Sequence, residues 1–398
     1  MIGLTSASPA GKLNLRLLLA GSAALSISTL FSSMKPVLIS SLVEQSGYSS
    51  TLAGVAAAMP FIGGIAASVL LPRLGPGSTN RMLRLLSAVL PLLEMGNAAW
   101  FAWSTALLLG QFAVGLCGGT ILGLVSRLIA CSPRSDETFG MADGVAVLLM
   151  SVMLTAVGSA VGLAGPRGGF LVAALFCTIF AAILHAGLRD TGEGELFSPI
   201  TPRSASSASV WPAVAVIAMG TIFVAFSGLG FAFMVTVARQ LGMGYQAASS
   251  AIGLVLFLSA SGCFIGGWCA ARFGSRLPLL CAFALCAVGW HVALHAHDPV
   301  IFFTGLGPAI FALQFCFPIL LSLAGAVDKD GRMAAIGAPL IVSGFAWAAV
   351  LAGFIVRQWG LGALSTATTA GMVVCAGLLL LGTRPIPLRP SAKKWAVS

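Results

Sequence analysis

Charge is what this sequence most conspicuously lacks. Of its 398 residues 11 are Asp or Glu and 21 are Lys or Arg, so charged side chains make up 8% of the chain. A soluble domain carries about a quarter, so this composition excludes a chain folded in water. The 58% of hydrophobic residues exclude disorder. The nine cysteines are scattered, mostly within apolar runs, and no Cys-x-x-Cys pair occurs, so neither a disulfide framework nor a zinc site is indicated. There is no Gly-x-x-x-x-Gly-Lys-Ser/Thr phosphate loop, no nucleophile elbow and no His-Glu-x-x-His. The expectation is a protein that is not an enzyme, is not powered by ATP and needs no metal or other cofactor. His291 and His295 are four apart with His297 close behind, but Asp298 is the one carboxylate nearby, and the group reads as interfacial histidines.

What the chain has in quantity is apolar runs. A helix needs roughly 20 apolar residues to cross a bilayer core. Runs of that kind lie at about 15–40, 49–71, 82–103, 105–130, 140–165 and 168–188, then at 210–237, 246–271, 277–297, 299–326, 333–357 and 361–383. They are too long, and too poor in alternation, for barrel strands. A cleaved signal peptide cannot account for hydrophobicity that recurs to the C-terminus. The pattern predicts an all-α integral membrane protein of twelve transmembrane helices in two six-helix bundles. The first bundle is expected at 1–188, a cytoplasmic linker (RDTGEGELFSPITPRSASSAS) at 189–209, the second bundle at 210–383 and a basic cytoplasmic tail at 384–398.

Placing the N-terminus in the cytoplasm puts seventeen of the 21 cations on that side. Arg167, Arg239 and Arg357 fall outside and Lys35 lies within the first run. Cationic loops mark the cytoplasmic face, so the net charge of +10 is topology rather than a nucleic-acid surface. A multi-pass protein of a plasma or bacterial inner membrane is expected, monomeric, with the lipid bilayer, a small-molecule substrate and protons as its partners. The two halves also share a pattern: VEQSGY (43–48) and ARQLG (238–242) each precede an Ala- and Gly-rich helix ending in Arg-x-Gly. Parallel six-helix repeats are a transporter architecture.

These features resemble the major facilitator superfamily over nearly the whole chain. That family carries Gly-x-x-x-Asp-Arg-x-Gly-x-Arg/Lys between helices 2 and 3, repeated between helices 8 and 9. The second copy here is Gly267, Arg272, Gly274 and Arg276, with Ala271 in the Asp position; the first keeps Arg73 and Gly75, with Ser68, Pro72 and Gly77 as departures. The resemblance implies a loop that latches the cytoplasmic gate. The missing acids put an Asp-centred latch in doubt and bring in Asp328 or Asp330 as alternative partners for these arginines; setting topology alone is the other reading. On helix 4, Gln111 occupies the approximate place of a family Arg, and Gly115 and Gly119 form a Gly-x-x-x-Gly packing face. On helix 5, Gly158, Gly162, Gly165 and Pro166 approximate a Gly-rich run ending in Gly-Pro that the family's exchangers carry. Lys35-Pro36 loosely matches an Arg-Pro of the cyanate and nitroimidazole transporter-like branch.

Ionisable groups at bilayer depth are costly and usually functional. Lys35 either faces the cavity and attracts an anion or snorkels to the outer interface. Glu94, with Asn97 one turn on, either loads a proton or pairs with Lys35. Arg127 and Asp143 form a gate-side pair or are solvated separately. Ser227 and Gln314 join Lys35 and Gln111 as candidate substrate contacts, because helices 1, 4, 7 and 10 line the family's cavity. The combined expectation is a secondary active transporter, symporter or antiporter, moving a small organic solute, with a lean toward an organic anion, by alternating access with proton coupling. A drug- or metabolite-exporting proton antiporter is the first alternative, and a membrane enzyme or assembly factor on the same scaffold the second.

Overall fold

The computed structural model describes residues 15–71, 79–132, 134–188, 211–243, 245–326 and 332–382. The described residues form helices throughout: α1 (Leu15–Ser46), α2 (Ser50–Leu70), α3 (Thr79–Trp100), α4 (Ser104–Ala130), α5 (Ser135–Gly187), α6 (Trp211–Gln240), α7 (Tyr245–Phe273), α8 (Arg276–Leu294), α9 (Pro299–Ala326), α10 (Arg332–Trp359) and α11 (Ala363–Gly382). Ten of these eleven are long and apolar enough to cross a membrane. Helices are the expected solution in lipid, because each satisfies its own backbone groups.

The sequence reading expects two runs where α5 is one helix of 53 residues. A straight helix of that length would span about 80 Å, far more than a bilayer core. It is not straight. Ala164 leaves helical geometry and Gly165 adopts φ 62°, a left-handed conformation that glycine reaches without steric cost. Pro166 follows, disfavouring helix at the residue before it and opening the second arm as a natural first helical residue. The two arms run back to back against α1. Ala142 of the first arm meets Gly21, while Gly187 at the end of the second sits against Arg16 and Ala20. The tip at Gly165 lies beside Gln45, at the opposite end of α1. α5 is therefore a helical hairpin, and counting its arms separately gives twelve rods among the described residues.

The rods form two packed groups. In the first, α1 packs on α5, α2 on α4, and α3 on both α4 and α5; in the second, α6 packs on α10 and α11, and α8 on α9 and α11. Small residues let backbones approach: Gly63 lies against the backbone of Phe112 and Leu116, and Gly289 against Gly305 and Ala309. The groups meet through α5 with α7 and α9, and through α2 and α4 with α10. One end of the molecule carries Arg16, Arg81, Arg84, Arg127, Arg134, Arg272, Arg276 and Arg332, and is called the basic end below.

Candidate functional site: the seam between the halves

The two halves touch closely at the basic end. Gly140 of α5 and Gly267 of α7 meet backbone to backbone: a Cβ on Gly140 would lie 2.9 Å from Gly267 Cα, and one on Gly267 would lie 2.7 Å from Asp136 O. Ser322 of α9 donates a hydrogen bond to the Asp136 carboxylate. Cys263 of α7 donates to Asp143 Oδ2 at 3.2 Å. A Cβ on Gly325 would lie 2.5 Å from Ala130 Cβ, and one on Gly123 2.5 Å from Ala335 O. That last carbonyl belongs to the residue four before Pro339, which has no N–H to return to it.

At the opposite end the same helices part. Gly158 follows Gly140 by 18 residues, five turns at 3.6 residues per turn, and Gly162 follows Gly144 by the same interval. Both therefore lie on the face of α5 that packs on α7 lower down, yet a Cβ on either would meet nothing within 4 Å. A Cβ on Gly54 of α2 or Gly353 of α10 would likewise meet nothing within 4 Å. Gly115 and Gly119 do pack, against Pro60 and Gly64 of α2.

Between the closed end and the parted end lies a small recess, lined by Ser28, Pro60, Gly64, Gly115 and Gly119 from the first half and by Pro339 from the second, among others. Gln111 lies on α4 one turn before Gly115, which lines the recess. It is buried, and its Nε2 has no hydrogen-bond partner. An amide held dry without a partner costs about 1–3 kcal/mol, so Gln111 is a donor in want of an acceptor.

The other sequence-predicted residues divide. Asp143 is bonded to Cys263 and not to Arg127. Glu94 is buried and accepts from Asn97 Nδ2 at 3.1 Å. Its surroundings are Asn97, against which Gly110 of α4 packs, and Cys177 on the second arm of α5. That is the inside of the first bundle, not the recess. Ser227 is fully buried and spends its hydroxyl on Phe223 O of its own helix at 2.6 Å, inside the second bundle. Gln314 is buried on α9. Phe223 packs on Phe283 in the core. Arg272 is exposed, its guanidinium 5.7 Å from the Trp268 ring and 5.9 Å from that of Phe273, and Gly274 ends α7 at φ 76°. Arg276 opens α8. Arg73, Gly75 and Asp328 lie outside the described residues, as does the side chain of Lys35 on α1. The sequence reading missed Cys263 and Ser322; neither carries a charge or a motif.

No protein-family model matches the sequence, and no curated relative matches it. Solved structures do. A proton:xylose symporter of the major facilitator superfamily, XylE, aligns with TM-score 0.67 and 14% identity over 92% of this chain and 94% of its own. The human organic anion transporter MFSD10 aligns with TM-score 0.67 and 17% identity over 93% and 100%. The major facilitator transporter FucP in the outward conformation aligns with TM-score 0.65 and 13% identity over 92% and 97%. This chain has the major facilitator fold.

Proposed function

We propose that the protein is a secondary active transporter that works by alternating access and is seen here open at the end opposite the basic one. One observation carries the reading. The face of α5 that presses on α7 at the basic end, at Gly140 and Gly144, is uncovered at the other end, at Gly158 and Gly162. Packed cores are not built with one end missing, whereas two rigid halves that rock about a midplane recess need such a cleft. With cations marking the cytoplasmic side, the open end faces outward.

The solute is small and organic. Gln111 supports an acceptor-bearing one, such as a carboxylate or hydroxyl compound, and the cation Lys35 on α1 supports the anion. Protons are the proposed drive, as the chain has no ATP-binding loop. The test is counterflow in proteoliposomes across a panel of carboxylates, aromatic acids and sugars. Saturable exchange of one class supports the reading; no exchange with any solute, from protein shown to be folded, overturns it.

A further inference from the structure

The seam at the basic end holds a carboxyl with an inadequate partner. Asp143 is 1% exposed and looks across from α5 to the other half of the molecule. Its partner there is the Cys263 thiol. A thiol is a weak donor, and a buried carboxylate without a cation costs several kcal/mol. Among the described residues, the elements packed around it supply none. α7 faces it with Cys263, α1 packs beside it at Gly21, and α9 reaches α5 at Ser322, with no charged residue in its whole length. The side chains of Lys35 and Glu44 on α1 lie outside the described residues; the other charged groups of these helices and of α3 and α4 are Arg16 on α1, Arg81, Arg84 and Glu94 on α3, Arg127 on α4, Asp136, Glu137 and Arg167 on α5, and Arg272 on α7. None of them is bonded to Asp143, whose partner is Cys263.

Asp136 provides the contrast. It sits two turns nearer the end of the same face, in the first turn of α5 and half-exposed, where helix-end amides favour an anion. Asp143 has neither water nor free amides. Across the seam around it the backbones touch at Gly140 and Gly267, and Phe264 covers Gly144, so a charged and hydrated Asp143 cannot be accommodated without parting the halves.

We propose that Asp143 is a proton-linked latch. With a proton on its carboxyl the basic end is closed; when that proton leaves to water, the anion draws water into the seam and the end opens. This deepens the alternating-access reading and rests on it. It places the coupling carboxyl in the seam between the halves, where protonation state and conformation are one event, rather than in the recess that takes the solute.

The experiment reads the seam without any substrate. The full-length protein in detergent is treated with N-ethylmaleimide across pH 6 to 8, and labelling at each cysteine is resolved by peptide mass spectrometry. Cys131, exposed in the turn after α4, corrects for the ordinary pH dependence of thiols. The ratio of Cys263 to Cys131 labelling is expected to rise with pH by up to about tenfold per unit, the limit for one linked proton. In Asp143→Asn it stays low and flat. A flat ratio in the wild type, or an unchanged rise in Asp143→Asn, overturns the latch. Should that variant fail to fold, hydrogen exchange of the wild type decides: amides at 136–147 and 260–267 lose protection as pH rises relative to those of α8, and uniform protection overturns the proposal. Absent counterflow with a pH-dependent ratio would remove the transporter reading alone; active counterflow with a flat ratio would remove the latch alone.

Discussion

Gly140 and Gly267 touch across the two halves of the chain with no side chain between them, a Cβ on the first falling 2.9 Å from Cα of the second. Two neighbouring contacts, Asp136 with Ser322 and Asp143 with Cys263, belong to the same seam. These contacts are short-range and depend on close approach of the two halves.

Gly267→Val tests that dependence. Its added atoms must displace the backbone at Asp136 and Gly140, and overpacking of this kind costs about 1–3 kcal/mol. The cost falls on the closed end alone, so the balance between conformations shifts by about 5- to 150-fold toward opening at the basic end. Cys263 labelling by maleimide should rise accordingly, while Cys131 labelling stays unchanged.

Gly158→Leu is the complementary change at the other end. Nothing lies within 4 Å of its Cβ position, so thermal stability should move by no more than the roughly 0.5 kcal/mol typical of an open site. Transport should nonetheless fail, because the leucine occupies the surface that has to close. Normal unfolding with counterflow reduced at least about tenfold, equivalent to 1.4 kcal/mol on the blocked conformation, is the expected pair of results. Full counterflow would mean that Gly158 faces lipid in every state.

The helices were legible because a bilayer imposes their length and the runs meet it. The break in α5 was legible too, since Gly165-Pro166 combines a left-handed glycine with a residue that cannot continue the helix. The seam was not. Asp143 and Arg127 both lie near the basic end of neighbouring helices, and that placement suggested a pair; the partner Cys263 is 120 residues away and looks in sequence like any buried thiol. The available signal was the 18-residue interval between Gly140 and Gly158 and between Gly144 and Gly162, which marks one continuous small-residue face. Glu94 shows what a lone acid in an apolar run leaves open: the buried stripe of Asn80, Leu83, Ser87, Leu90, Glu94 and Asn97 on α3 turns it into the first bundle.

Glu94→Gln should therefore be mild. The amide retains an oxygen for the Asn97 Nδ2 donor and the shape of the side chain, and a neutral hydrogen bond contributes about 0.5–1.5 kcal/mol. Stability should change by no more than that, and transport should keep its dependence on a proton gradient. Loss of that dependence, measured as uptake with and without a gradient, would return the coupling role to Glu94.

Gln111→Leu separates binding from packing. If Gln111 were a packing residue, removing its unpartnered amide would relieve a desolvation cost of about 1–3 kcal/mol and leave transport intact. As the donor that meets the solute, it should give a protein at least as stable as the wild type, with half-saturation raised about tenfold for the loss of one buried hydrogen bond. The stability gain and the affinity loss come from the same atom, Nε2, which is buried without a partner and is satisfied only when an acceptor arrives. Melting temperature and the concentration dependence of counterflow, measured on one preparation, give both numbers; a more stable variant with unchanged half-saturation would place the solute's contacts elsewhere.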